Sequence, residues 1–151
     1  SIDRWTSGER ARPSGLRRGA RFFRPSSERS MQTLLIVDDR ADNRKLLRLS
    51  LGHRYDLLEA VDAASAWDLL VAHRPRGVIL DVMMPGGMDG FELCAKIRAT
   101  AELKSTYVLL LTARGQASDR ERGRVVGADD FVVKPYSPIA LLSVVEQRIG
   151  V

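Results

Sequence analysis

The chain has 151 residues, 44% of them hydrophobic and 28% charged, an ordinary globular composition of about one domain's length. A single cysteine, Cys94, excludes an intrachain disulfide and a multi-cysteine zinc site and suits a reducing cytoplasm. No apolar run approaches the roughly 20 residues of a membrane span, and the first thirty residues hold no apolar stretch of the kind a secretory signal needs.

The net charge of +5 is localised. Residues 1–30 hold eight Arg against Asp3, Glu9 and Glu28, whereas residues 31–151 hold 16 basic and 16 acidic residues. A basic balance points to nucleic acid or anionic lipid, and here that inference applies to the leading segment alone. Arg, Ser, Gly and Pro dominate residues 1–30 and their apolar residues show no period, so the segment is expected to be disordered. Met31 looks like a natural start, which would make residues 1–30 an upstream extension. The alternatives are a basic arm that touches nucleic acid or membrane, or a solvated tail. The folded domain is expected over 31–151.

Strands and helices alternate from residue 33 onward. Thr33–Val37 is a continuous apolar run, as a strand buried on both faces requires. Residues 42–52 place Leu46, Leu47 and Leu51 on a helical stripe, and Tyr55–Ala60 reads as a short strand. Asp62 can cap a helix on which Ala63, Ala66, Trp67, Leu70 and Val71 share a face, with Trp67 expected in the core. Pro75 stops that helix. Gly77–Leu80 is a buried-type strand. A helix follows over 89–99, with Leu93, Cys94 and Ile97 on one face and Cys94 a small buried hydrophobe. Tyr107–Leu111 is the third strong strand, residues 116–127 a charge-rich helix, and Asp130–Val133 the last strand. Ser137 and Pro138 open a final helix with Leu141, Leu142, Val145 and Ile149 facing inward. This five-fold βα alternation implies an α/β fold, a doubly wound parallel five-stranded sheet with helices on both faces.

In such a sheet the carboxyl ends of the strands lie along one edge, where the site of an open α/β fold is found. There the sequence places Asp38 and Asp39, Asp81, Thr112, and Lys134 followed by Pro135. Three clustered carboxylates suit a hard cation, and Mg²⁺ fits because it is held by carboxylates, waters and phosphate oxygens. If the three share one metal they should lie roughly 5 Å apart, each like-charge pair costing on the order of 3 kcal/mol at an effective dielectric of about 20. Lys134 supplies a point charge for a phosphoryl oxygen, Thr112 a hydroxyl, and the central Asp81 a carboxylate nucleophile. His53 and His73 fall at helix ends away from this edge and read as solvated surface.

At these residues the sequence resembles the receiver domains of bacterial two-component response regulators. The matching stretches are LLIVDD (34–39), VILDVMMPGGMDGFEL (78–93), LLLTA (109–113) and GADDFVVKPY (127–136), and the resemblance covers residues 32–150. It implies a flavodoxin-like sheet of strand order 2-1-3-4-5. It implies Asp81 as phosphoacceptor, Asp39 as direct Mg²⁺ ligand and Asp38 as a ligand acting largely through water. The backbone carbonyl of Met83 would be a further ligand. Thr112 resembles the switch hydroxyl, Phe131 the aromatic that swings inward with it, and Lys134 the phosphate-binding lysine. The implied phosphodonor is a phosphohistidine on a sensor histidine kinase or phosphotransfer protein. The chain departs from the usual Met-Met-Pro-Gly-Met-Asp-Gly by the tandem Gly86-Gly87. The loop into the next helix should therefore be longer and looser, while Asp81 and Met83 keep their register.

The leading expectation is a cytoplasmic signalling module, not an enzyme, that passes its signal by protein contact. The contact would be to a downstream target or a second copy through residues 116–149. No specific nucleic acid and no membrane partner are expected. The alternative is a receiver fragment of a larger protein with a catalytic or DNA-binding output domain. Met83 and Arg114 flank the site and would govern access of water to the acyl phosphate. The apolar bulk of Met83 leans toward slow hydrolysis.

Overall fold

The computed structural model describes residues 2–5 and 31–150. Eleven elements follow one another: β1 (Ile2–Arg4), β2 (Thr33–Val37), α1 (Ala41–Leu51), β3 (Asp56–Ala60), α2 (Ala63–His73), β4 (Gly77–Asp81), α3 (Gly90–Ala99), β5 (Tyr107–Thr112), α4 (Ala117–Val125), β6 (Asp130–Val133) and α5 (Pro138–Ile149). The sheet order is β1-β6-β5-β4-β2-β3. All pairs are parallel except β1 with β6. The five expected strands thus keep the expected order, and the expectation of a five-stranded, wholly parallel sheet is corrected by a sixth, antiparallel strand at the edge.

That strand also corrects, at residues 2–5, the expected disorder of residues 1–30. Ile2, Asp3 and Arg4 pair with Val132, Phe131 and Asp130, and Trp5 N–H donates to Asp129 O at 3.0 Å. Composition misled because so short a strand is held by partners more than 120 residues away, which leave no trace in local patterning. Residues 1 and 6–30 lie outside the described residues.

The core has two layers, as period-two alternation along buried strands requires. Leu35, Val37, Val78, Leu80, Val108, Leu110 and Phe131 pack with Ala66 and Leu70 of α2 and with Leu93, Cys94 and Ile97 of α3. Leu34, Ile36, Ile79, Leu109, Leu111 and Val132 pack with Leu47 and Leu51 of α1 and with Leu141, Val145 and Ile149 of α5. Four expected core positions are corrected. Leu46 and Val71 are exposed, because each lies one residue, about 100°, off the buried line of its helix. Trp67 is only half-buried on the flank of α2, with the Lys96 ammonium 4.1 Å over its ring. Leu142 is likewise partly buried.

Local chemistry fixes the starts of α2, α3 and α5. Asp62 and Ser65 form a reciprocal capping box at α2, as Asp89 and Glu92 do at α3. Ser137 caps α5, with Pro138 at its first position. Gly90 is required by close approach, since a Cβ there would lie 2.5 Å from Asp81 O and 2.8 Å from Val82 Cα. The first turn of α3 therefore presses on the end of β4, where Asp81 sits.

Candidate phosphoacceptor and metal site

The parallel register brings the predicted residues to one edge. Asp38 and Asp81 end the adjacent strands β2 and β4. Val82 N–H donates to Leu111 O at 3.0 Å, which places Thr112 just past Asp81 on the next strand. Thr112 pairs with Val133, and Lys134 N–H donates to Thr112 O at 2.7 Å. One carboxylate oxygen each from Asp38, Asp39 and Asp81 lie within 4.8 Å of one another, in keeping with the roughly 5 Å expected of a shared metal.

The three acids are not alike. Asp38 is fully buried, Asp81 6% exposed, and Asp39 exposed. Asp38 Oδ1 accepts from Arg40 N–H at 2.9 Å and Asn43 Nδ2 at 3.3 Å. Asp38 Oδ2 is buried without a hydrogen-bond donor, and the Lys134 ammonium stands 3.5 Å away. That ammonium is also 3.8 Å from Asp81 Oδ1, and Met83 N–H approaches the same oxygen at 3.4 Å. Burial pushes the Asp81 carboxyl up to about 6. Lys134 opposes the shift, and Asp38 and then Asp39 add smaller upward pushes. The strain at Asp81 is thus mainly desolvation, with like-charge repulsion secondary.

The orphaned Asp38 oxygen and the all-oxygen donor set fit a hard divalent cation. The ammonium between two carboxylates fits a phosphoryl oxygen entering the same space. Thr112 is buried, and its Oγ accepts from Arg114 N–H at 3.0 Å. Phe131 is fully buried on β6. Met83 is exposed beside Asp81, and the Arg114 guanidinium is held by Asp119 Oδ1 at 3.0 Å. His53 and His73 are exposed, as their sequence positions suggested.

Sequence reasoning missed three neighbours. Asn43 reaches Asp38 from α1, and Arg44 Nη1 donates to Asp38 O at 2.8 Å. Tyr136 lines a cavity of about 190 Å³ with Asn43, Leu111 and Lys134. Its hydroxyl is pushed up to about 12 by burial and then by Asp38. Asn43 and Arg44 fall in the first turn of the helix after Asp38, a spacing that could have marked them. The tandem glycine segment, with Gly86 at φ +99°, walls a separate cavity of about 530 Å³ against Trp67 and Lys96.

The fold and edge chemistry define a doubly wound α/β module with an acidic cluster at the carboxyl edge of its sheet. The family model for the response regulator receiver domain matches residues 34–146, and the chain belongs to that family. Response regulator MprA of Mycobacterium sp. (strain KMS) is 41% identical over 111 residues, 73% of this chain and 47% of that protein. A Galdieria sulphuraria protein described as probable transcriptional regulator ycf27 is 40% identical over 111 residues, 73% of this chain and 42% of that protein. Chemotaxis protein CheY4 of Vibrio cholerae superposes with a TM-score of 0.73 at 32% identity, over 80% of this chain and 99% of its own. The chain thus spans under half the length of these two curated relatives. Among the described residues no helix is long and apolar enough to cross a membrane.

Proposed function

We propose that this chain accepts a phosphoryl group on Asp81 and signals through the response. An Asp81 carboxylate oxygen attacks phosphorus of a phosphohistidine on a sensor kinase or phosphotransfer protein. The new O–P bond forms as the P–N bond breaks, and the histidine departs as neutral imidazole once protonated. Asp38, Asp39, Asp81 and the Met83 carbonyl would hold Mg²⁺, whose charge aligns and neutralises the phosphoryl oxygens. Lys134 faces the same oxygens. Thr112 then turns toward the phosphoryl group with Phe131, and the change is read on the face formed by residues 116–149. A cytoplasmic, signalling and non-enzymatic role goes with this reading.

The observation that carries it is the Lys134 ammonium set between the buried Asp38 and Asp81, with Asp81 pushed up to about 6. Phosphoramidate and Mg²⁺ should give one phosphoryl adduct by intact mass. The adduct should vanish with chelator and in Asp81→Asn, and a similar yield on Asp81→Asn overturns the assignment.

The length of MprA and the description of ycf27 favour a second reading for a longer protein. In it the receiver would govern a DNA-binding output, against the expectation of no specific nucleic acid. A helix-turn-helix encoded in frame beside this segment would support it.

A further inference from the structure

The first strand does more than lengthen the sheet. Its residues alternate between the two helices that flank β6. Asp3 pairs with Arg120 of α4. Arg4, on the other face, donates to Val144 O at 2.7 Å and Gln147 Oε1 at 2.7 Å on α5. Trp5 returns to the α4 side, its ring centroid 5.9 Å from that of Phe131 at a 43° tilt. A Cβ on Gly123 would meet Trp5 at 3.1 Å and Phe131 at 3.2 Å. The two rings therefore meet under the one position of α4 that has no side chain. Arg148 fastens the Trp5 carbonyl from α5, and the Arg120 guanidinium lies 5.7 Å from the Phe131 ring centre.

Phe131 connects this edge to the phosphoacceptor site. It pairs with Asp3 on one side and with Leu110 on the other, two residues before Thr112, and lies three residues before Lys134 on its own strand. Without β1, β6 would be the sheet edge and the side of Phe131 now under the indole would be uncovered.

We propose that residues 2–5 are an intrinsic co-activator of the switch. In this role Trp5 seated against Phe131 holds that ring in its buried position, so that arm docking and occupancy of Asp81 favour each other. The proposal rests on the reading of Asp81 and Phe131 given above, and it assigns the leading segment a role other than nucleic-acid or membrane contact. Coupling between two sites is reciprocal. Whatever factor the docked arm adds to phosphoryl binding, the phosphoryl group must return to arm docking.

The test uses the full chain and beryllium fluoride with Mg²⁺ as phosphoryl mimic, titrated by calorimetry. Trp5→Ala should weaken binding of the mimic about fivefold, and Trp5→Phe should restore most of that loss. Asp3→Arg, which breaks the Arg120 pair and leaves Trp5 unchanged, should weaken it in the same direction. Reciprocally, saturating mimic should raise hydrogen-exchange protection of the Trp5 amide, bonded to Asp129 O, by the same factor in the parent. Unchanged affinity in Trp5→Ala and Asp3→Arg, or tighter binding, overturns the coupling and leaves the phosphoacceptor reading standing. A parent chain that takes neither the mimic nor a phosphoryl adduct overturns that reading and the coupling with it.

Discussion

Two acidic pairs border the same sheet, Asp38-Asp39 after β2 and Asp129-Asp130 at the start of β6. As dipeptides they are indistinguishable. In the fold Asp130 is fully buried and accepts from Arg4 Nε at 3.0 Å, Arg4 Nη2 at 3.3 Å and the Tyr107 hydroxyl at 2.6 Å, with the Arg148 guanidinium 3.6 Å away. Asp129 Oδ2 accepts from Arg98 Nη2 at 3.0 Å and Val108 N–H at 2.9 Å. Asp38 is as deeply buried, yet one of its oxygens has only the Lys134 ammonium at 3.5 Å. A buried carboxylate is costly unless donors surround it. Where the fold supplies them, as at Asp130, the acid anchors strands and helices together. Where it withholds them, the shortfall leaves room for the cation and phosphoryl group proposed above. Functional sites commonly retain such local deficits.

The difference is most easily broken at Asp130. Its removal leaves Arg148, Tyr107 and part of Arg4 facing an emptied, buried position. Asp130→Ala should lose about 3–5 kcal/mol of stability in urea unfolding, the range for breaking one partner of a buried pair. A loss under about 1 kcal/mol would mean that its donors do not hold this region together.

Asp81 should show the opposite sign, and pH reveals it. Its folded value of about 6 lies above the ordinary 3.8, so the fold prefers the protonated acid. The corresponding stability is fully present below about pH 4 and is lost as pH rises through about 6. Two units amount to up to about 3 kcal/mol. In chelator, the stability of the parent minus that of Asp81→Asn should therefore fall between pH 4 and 6, with the parent the weaker protein at pH 7. A difference that stays flat over that window would show that Asp81 is not strained by burial.

How much of this was legible in the sequence follows from the range of each interaction. The five parallel strands announce themselves as apolar runs, and Asp38, Asp81, Thr112 and Lys134 each stand at the end of one, so strand order alone gathers them. Caps at Asp62, Asp89 and Ser137 are set by neighbours three residues away. The first strand could not be read this way, because Arg4 finds Asp130 and Trp5 finds Phe131 only once the sheet exists. Trp67 and Val71 matched an apolar stripe, but a stripe does not tell how far the neighbouring layer extends over the helix. Nor could the sequence rank the terms at Asp81, since the repulsion visible in three acids is outweighed by a burial that only packing creates.

The smallest effect concerns Asp39, the exposed member of the site. It contributes a ligand atom within 4.8 Å of the other two carboxylates, but water screens it. At that separation and near the dielectric of water, each like-charge contact costs under about 1 kcal/mol. Asp39→Asn should therefore raise metal-free stability by less than Asp81→Asn does at pH 7, and by under about 1 kcal/mol. Its effect on the metal should be larger. Mg²⁺ at ten times its dissociation constant should stabilise the parent by about 1.4 kcal/mol through mass action, and most of that response should disappear in Asp39→Asn. Thermal melts of both proteins in chelator and in Mg²⁺ separate the two effects. If Asp39→Asn melts below the parent in chelator, Asp39 is engaged in holding the fold. The acidic edge would then be satisfied from within, as Asp130 is, and would not be waiting for a cation.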